Sequence, residues 1–465
     1  MSPQPKARDR DPPRRRRFRP RLVFLVLREI LRALSVPARL WFYLLRRRHW
    51  RAEAASLLEE AGDPRRLAEG NEEARARIRG ALGGRRPGRI FLSCGERSGE
   101  AQACRLVKTL RAEGADFEIS AFGGKNLAKL GVRVEADLVD RAVMGLSAVL
   151  AEIPFFLDVV GRFLEILEKD PPDLVVLIDN PGLHLVLAEE AKRRGLPVLY
   201  YVCPQYWAWG PWRMARFRRA VDAAIAVLPF EPPFFRKGGI PTGYAGHPLA
   251  AESAGAERSP VPSDSGDRRI LALLPGSRRK DIDRHLVPML RVFLEFRRKH
   301  PECGARIPQS DAERRVSVAD RVRTFLEAEG ADPSLCEVVH ADPGETLRSC
   351  RLALVKSGTT TIQTALAGVP FVLVFKLEHR REKWFASRGL SVPWIGAPNL
   401  ILGREAFPEH CFLEEEGWER VLASLESLWE DGEAREGRIR DLAEVRARLK
   451  GEGADRLLAS WILLP

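Results

Sequence analysis

Two parallel β-sheets, each covered by helices on both faces, are predicted by three features of the sequence. From residue 88 onward, short β-rich runs alternate with helical stretches, the pattern of an α/β domain. The alternation breaks once, at "AAESAGAERSPVPSDSGDRR" after Leu249, where Ser, Pro and Gly replace any periodicity and mark a linker. The chain has 465 residues, too many for one ordinary core and suited to two domains of about 150 to 200 residues each. The predicted limits are a basic tail, interface helix and linker over 1–87, a first sheet domain over 88–250, a linker over 251–268, a second sheet domain over 269–430, and C-terminal helices over 431–465.

The N-terminal arm comes first. Residues 1–50 hold 15 Lys or Arg against three acids, a balance of +12, which leaves +1 of the chain's formal +13 for everything that follows. The basicity therefore belongs to a tail, and a nucleic-acid-binding body is not expected. Residues 1–20, rich in Pro and Arg, have little to bury and are expected to be disordered. From Arg21 the pattern changes to "RLVFLVLREILRALSVPARLWFYLLRRRHW". Arg28, Arg32, Ser35, Arg39 and Arg46 fall at helical spacings and leave Leu, Val, Phe, Trp41 and Tyr43 on the other side. This predicts a helix over residues 21–48, kinked by Pro37, that lies in an anionic membrane surface with its arginines toward the headgroups. A helix docked on the protein's own core, or a basic arm for RNA or nuclear import, would show a similar pattern. Residues 51–86 read as a polar helix followed by a Gly-Arg linker.

In the first sheet domain, "IFLS" (90–93) leads into the loop Gly95-Glu96-Arg97-Ser98-Gly99 and a helix. "LVVLID" ends on Asp179 and breaks at "NPG". A carboxylate at the carboxyl end of a buried strand is either a catalytic group or the polar cap of that strand. Ligands of open sheets bind beyond those ends, so Asp179 stands where chemistry is expected. His184 and His247 are lone histidines, a type more often hydrogen-bonded in a core than catalytic. "YYVCPQYWAWGPWR" carries Trp207, Trp209 and Trp212 in one loop. Packing explains one or two of these rings, and all three together suggest a surface for an apolar or sugar-bearing ligand or for a membrane.

In the second domain two strand-to-helix turns are small and rich in donors. "LLPGSRR" places Gly276 and Ser277 at a turn with Arg278 beside the helix start, and "VKSGTTTIQTALAG" does the same with Ser357, Gly358 and Thr359. Close backbone approach, free helix N–H groups and a guanidinium suit a diphosphate, although each turn alone could be simple capping. Neither is a Walker loop or a G-x-G-x-x-G fingerprint, so ATP and NAD are not favoured. "DID" (281–283) would point apart on a helix and reads as acid at a helix N-terminus, so no metal is implied. The seven cysteines are odd in number and lack C-x-x-C spacing, as expected of reduced thiols. No apolar run approaches the ~20 residues needed to span a bilayer.

Ten motifs occur in order: "GERSGE" (95–100), "FGG" (122–124), "VMG" (143–145), "PPDLVVLIDNPG" (171–182), "YYVCPQYWAWGPWR" (200–213), "LPFEPPFF" (228–235), "GHPL" (246–249), "LLPGSRR" (273–279), "SGTTTIQTAL" (357–366) and "PNLILGREAFPE" (398–409). Together they resemble the lipid-A-disaccharide synthase family over about residues 88–430, with the N-terminal arm outside the resemblance. The resemblance implies a GT-B glycosyltransferase of two Rossmann-like domains. It would join UDP-2,3-diacylglucosamine to 2,3-diacylglucosamine 1-phosphate at the cytoplasmic face of the inner membrane, as a peripheral protein with no cofactor, the UDP-sugar being a substrate. It implies Asp179 as base. On the nucleotide side it implies Gly276, Ser277, Arg278, Ser357, Gly358, Thr359, Gln363, Asn399, Gly403 and Arg404. On the acceptor side or in a substrate loop it implies Glu96, Ser98, Gly99, Glu100, Met144, Gly145, Trp207 and Trp209.

The chain departs from the family pattern at Gly182, where an acid is usual, at Glu100 in place of Asp, and at Gln363 in place of Glu. The loss of an acid near Asp179 removes a group that could tune the base, and it leaves open whether His184 or water takes that place. Two other readings fit the same residues: a GT-B enzyme acting on another UDP-sugar or lipid-linked acceptor, including a UDP-sugar epimerase, and a non-catalytic UDP-sugar-binding membrane protein.

Overall fold

The computed structural model describes residues 19–114, 117–139, 153–255, 269–413 and 417–463. Two all-parallel sheets form the frame. The first has strands β1 (Arg89–Cys94), β2 (Glu118–Gly123), β3 (Arg133–Asp137), β4 (Leu174–Ile178), β5 (Val198–Tyr201), β6 (Ala223–Ala226) and β7 (Thr242–Tyr244), in the order β3-β2-β1-β4-β5-β6-β7. The second has β8 (Ile270–Leu274), β9 (Gly304–Pro308), β10 (Cys336–Val339), β11 (Leu352–Lys356), β12 (Phe371–Lys376) and β13 (Glu409–Phe412), in the order β10-β9-β8-β11-β12-β13. Every residue of β4 and most of β8 and β11 is buried, which explains their unbroken apolar runs.

In both sheets the chain winds outward one way and then the other from a central pair. The direction reverses between β1 and β4 in the first sheet and between β8 and β11 in the second. Loops leaving the carboxyl ends of such a pair diverge and open a crevice between them. Asp179 follows β4, and the two donor-rich turns follow β8 and β11.

The compositional limits at residues 87 and 431 divide segments that pack as one. Helix α4 (Pro64–Ala81), after α1 (Arg19–Leu34), α2 (Val36–Leu45) and α3 (Arg47–Glu59), lies along β6 and β7. Its small buried face, Gly70, Ala74 and Ile78, is concealed among Arg and Glu in the sequence. Asn71 locks it to the edge strand, donating to the Tyr244 carbonyl at 3.2 Å and accepting from the Tyr244 N–H at 2.7 Å. The last helix, Ala454–Leu463, returns to the first domain and buries Leu457, Leu458, Trp461 and Ile462 in the core with Ile90, Leu92 and Val107. All seven cysteines are free thiols.

The arm is helical, as its spacing predicts, but Arg21, Arg28 and Arg32 face the protein, while Arg39 and Arg46 of the same row are exposed. Arg21 pairs with Glu190, and Arg28 and Arg32 pair with Glu189, both acids lying on helix Pro181–Lys192. Leu22 and Leu25 on the same side are buried in the core. Two partnered acids and a shallow apolar seat draw this face inward, because a guanidinium gains more from a fixed carboxylate than from water. The opposite face is open. Val23, Phe24, Leu27, Ile30, Leu31 and Leu34 repeat at helical spacing, from 49% exposed at Ile30 to 71% at Leu34. Trp41, Phe42 and Leu45 continue the stripe on α2, which begins after a break at Ser35 with Pro37 in its first turn. Tyr43, on the inner side, shares a hydrogen bond with Ser391 at 2.9 Å, and Arg51 donates to the carbonyls of Leu390 and Ser387. The arm thus touches both domains. No helix among the described residues is long and apolar enough to cross a membrane.

Candidate functional site

At the first switch point the backbone is strained. Asp179 and Asn180 follow β4 with φ of 55° and 46°, two consecutive left-handed residues that are not glycine. Asp and Asn tolerate that region best, and each such residue still costs free energy that the surroundings must offset. The clamp is visible. The Asp179 carbonyl accepts from the Tyr200 hydroxyl at 2.5 Å and lies 2.5 Å from Nδ1 of His184, while the Asp179 N–H donates to the Tyr201 carbonyl at 2.9 Å. A carbonyl can only accept, so Nδ1 carries the proton and Nε2 accepts from the Ser93 hydroxyl at 2.8 Å. His184 is fully buried, and burial pushes its pKa down to about 4, so the ring stays neutral.

His184 therefore holds the Asp179 turn from behind, and its buried, neutral ring does not stand in for an acid at Gly182. Gly182 itself is exposed, and a Cβ there would meet only Oδ1 of Asn180, at 3.9 Å. The crevice is open at the position where the family pattern has an acid.

The Asp179 carboxyl is half-buried, and burial raises its pKa above the ordinary carboxylate value. The Asn180 N–H partly opposes the shift and the charge of Glu96 adds to it. A carboxylate with raised proton affinity at the floor of an open crevice is a competent general base. The facing loop is held close: a Cβ on Gly95 would stand 2.3 Å from Nδ2 of Asn180 and would have to displace that side chain. Glu96 and Ser98 at the start of helix α5 (Arg97–Ala112) are exposed, and Gly99 is buried against Cys94 and Ile178. Glu100 points away from the crevice. Its carboxylate accepts from the Asn126 N–H and side-chain amide at 2.8 and 3.0 Å and from the Leu127 N–H at 3.3 Å, so it caps the short helix Lys125–Lys129. Met144 and Gly145 lie outside the described residues.

At the second switch point the two turns lie on adjacent strands and are tied together. Gly276 has φ of 112°, and a Cβ there would stand 2.7 Å from the Asp281 side chain. Asp281, in the first turn of helix Arg279–Lys299, forms an ion pair at 3.3 Å with Lys356 at the end of β11. This spends the acid inside the protein; Asp281 lies in the helix's first turn, as the reading of "DID" expects, and the ion pair is an addition to it. Ser277 and Arg278 are exposed at the mouth of the helix, and Gly358 and Thr359 are exposed at the start of helix Thr359–Ala367, with Gln363 one turn further on. The Ser357 hydroxyl donates to the Ile395 carbonyl at 3.3 Å. Two helix N-termini on adjacent strands, with Arg278 and Arg279 exposed at one and Lys356 held by Asp281 beside the other, suit a diphosphate.

Besides Glu100, five of the predicted site residues have their side chains or backbone engaged elsewhere. Asn399 is buried and fully used: it donates to the Phe407 carbonyl and to Glu409 and accepts from the N–H groups of Ala406 and Phe407. Arg404 pairs with Asp441 and Glu444. Gly403, in the left-handed region, ends helix Ala397–Leu402 and stands against the Leu58 carbonyl of the arm. Trp207 is buried, donates from Nε1 to Glu231 at 3.1 Å and packs edge-on against Phe230. Trp209 is 39% exposed with the Arg213 guanidinium 4.0 Å above its ring. Trp212 packs against Tyr43 of the arm. The three rings thus divide among core, surface and arm.

The tryptophan loop also joins the domains, since the Ala208 carbonyl accepts from the Ser391 N–H at 2.8 Å. Ser391 lies only a few residues before Ile395, the partner of Ser357, so the carboxyl-end loops of the two sheets meet. Sequence reading missed Ser93, Tyr200 and Glu231. Glu231 is the clearest: a carboxylate in the apolar run "LPFEPPFF", it accepts from Trp207 and from the N–H groups of Val227 and Leu228 while fully buried. Its setting signals a hydrogen-bonding post, although not which groups it serves.

Comparison with known proteins follows this geometry. A family model described as lipid-A-disaccharide synthetase matches residues 90–451. The lipid-A-disaccharide synthases of Trichlorobacter lovleyi and Myxococcus xanthus are each 32% identical, over 81% of this chain and 97% of their own length. That of Acidobacterium capsulatum is 33% identical over 79% of this chain and 93% of its own. Among solved structures, the UDP-GlcNAc 2-epimerase of Neisseria meningitidis bound to UDP-GlcNAc covers 81% of this chain and 99% of its own, with a TM-score of 0.50 at 12% identity. The glycotransferase of kitacinnamycin covers 82% and 100%, with a TM-score of 0.50 at 14% identity. These two share the fold. The chain belongs to the lipid-A-disaccharide synthase family, glycosyltransferases of GT-B architecture.

Proposed function

We propose that this protein transfers the 2,3-diacylglucosaminyl group of UDP-2,3-diacylglucosamine to 2,3-diacylglucosamine 1-phosphate, with inversion at the anomeric carbon, giving a β(1→6) disaccharide and UDP without a metal ion. The supporting observation is the pairing of the two switch points. One carries a half-buried carboxylate of raised proton affinity, and the other carries donor-rich helix starts. Asp179 takes the proton of the acceptor hydroxyl as that oxygen attacks from the face opposite the leaving UDP. The helix N-termini at Ser277 and Ser357 and the Arg278 guanidinium receive the charge that grows on the diphosphate. His184, Tyr200 and Ser93 hold the base in its left-handed turn.

The protein works at the cytoplasmic face of the inner membrane as a peripheral protein, with the open apolar stripe of α1 and α2 set into the interface where the acyl-chain substrates reside. This reading keeps the apolar side of the arm in the interface, while Arg21 and Arg28 take carboxylates of the first sheet domain in place of headgroups.

The test is incubation of purified protein with UDP-2,3-diacylglucosamine and the monosaccharide 1-phosphate, with and without a chelator. The expected result is UDP release matched by β-linked disaccharide, insensitive to chelation. UDP release only with a different acceptor, an α-linked product, or loss of turnover on chelation would each overturn the corresponding part of the proposal.

A further inference from the structure

Between the arm and the helix Met214–Ala220 lies a cavity of about 300 Å³, lined by Arg32, Arg39, Trp212, Ala215, Arg216 and Arg219. Four guanidiniums share this small space. Arg216 is pinned by Glu189 at 2.8 Å and by Glu29 at 2.9 Å, and Arg32 is held by the same two acids. Arg39 and Arg219 are exposed, and neither forms an ion pair among the described residues. Arg28 shares the same two acids, so five guanidiniums stand against two carboxylates, a local balance of about +3, and Arg39 and Arg219 are the two exposed cations.

The surroundings select the ligand. On α2 the exposed Val36 and Phe42 stand three residues before and three after Arg39, on the same helix face, so the open apolar stripe reaches the pocket at Arg39. Trp212 adds the amphipathic ring that favours a membrane boundary. A soluble anion would gain from the charges but not from the adjoining stripe. An anionic lipid satisfies both, its phosphate on the arginines and its acyl chains beside the apolar side chains.

We propose that this cavity is a headgroup site for the phosphate of an anionic membrane lipid, separate from both switch points and formed jointly by the arm and the first sheet domain. The inference rests on the peripheral-membrane reading above and names the lipid class that the arm takes.

The test is flotation of the full chain on vesicles of phosphatidylcholine alone and of phosphatidylcholine with phosphatidylglycerol. It compares wild type, Arg39→Gln/Arg219→Gln, the control Arg47→Gln/Arg48→Gln, and the stripe variant Phe24→Ser/Trp41→Ser. The pocket variant is expected to lose roughly thirtyfold in affinity for the phosphatidylglycerol vesicles, about fivefold per arginine. It should keep wild-type binding to phosphatidylcholine and wild-type turnover on detergent-dispersed substrate. The control pair should lose much less. Equal losses in the two pairs would overturn the pocket in favour of diffuse charge. Stabilisation of wild type, and not of the pocket variant, by inorganic phosphate alone would overturn the lipid as its source. The stripe variant reports on the underlying reading: if it binds both vesicles as wild type does, the membrane role of the arm fails whatever the arginines show.

Discussion

Replacing His184 by Ala tests how the base is positioned. The substitution removes the donor to the Asp179 carbonyl and the acceptor of the Ser93 hydroxyl, and leaves Tyr200 as the carbonyl's remaining clamp. Two lost hydrogen bonds at about 1 kcal/mol each, with a buried hydroxyl left unpaired and a small cavity, give a loss of about 3 kcal/mol in stability. The two left-handed residues are then free to relax, and a shift of the carboxylate by even a fraction of an ångström lowers kcat by roughly tenfold to a hundredfold. KM for both substrates should hardly change, because His184 is buried beneath the crevice. Asn at 184 keeps an amide donor near Nδ1 and should restore part of kcat. The pH profile separates positioning from acid-base work. His184 stays neutral above about 4, so the limb set by the base must persist in the Ala variant. Stopped assays from pH 5 to 9 with a thermal melt would decide. A profile that loses its acidic limb, or a stable variant with undiminished kcat, would refute the reasoning.

Three further outcomes follow from the same geometry. Gly182→Asp meets no neighbour closer than Asn180 and adds an acid to a helix's first turn, so melting should hold or rise slightly while the acidic limb of kcat/KM moves to higher pH; a loss of several degrees would contradict the open space seen there. Burial raises the Glu231 pKa from 4.5 to about 7, so its stabilisation is complete below 4.5 and is lost as pH rises through 7, about 3 kcal/mol in all; denaturant titrations should show this slope flattened in Glu231→Gln, and an unchanged slope would refute it. Asn399→Ala strands two N–H groups, a carbonyl and the Glu409 carboxylate, and should cost about 4 kcal/mol with no selective rise in KM for the sugar nucleotide, a selective rise being the contrary result.

Much of the frame was legible because parallel sheets require buried strands and covering helices, and both leave periodic traces. The alternation located both switch points, and with them Asp179, Ser277 and Ser357. What stayed hidden were partnerships between residues far apart in sequence. Helical spacing separated the arm's arginines from its apolar side chains, but Glu189 and Glu190, which turn the arginines inward, lie on a helix of the first domain. Motif position marked Glu100 and Asn399 as constrained without telling whether ligand or protein imposed the constraint. In both cases the side chain's hydrogen bonds end within the protein. Helix α4 lies within the stretch read as a polar helix, but its docking escaped notice, because three buried residues, Gly70, Ala74 and Ile78, suffice for it and are too few to register as an apolar face.

The central claim is that Asp179 removes the acceptor's proton. The direct measurement is single-turnover disaccharide formation by Asp179→Asn, alongside its affinity for UDP and its melting temperature. The account predicts a fall of about 10²- to 10⁴-fold in the chemical step with UDP affinity and melting unchanged, and wild-type turnover in that variant would contradict it.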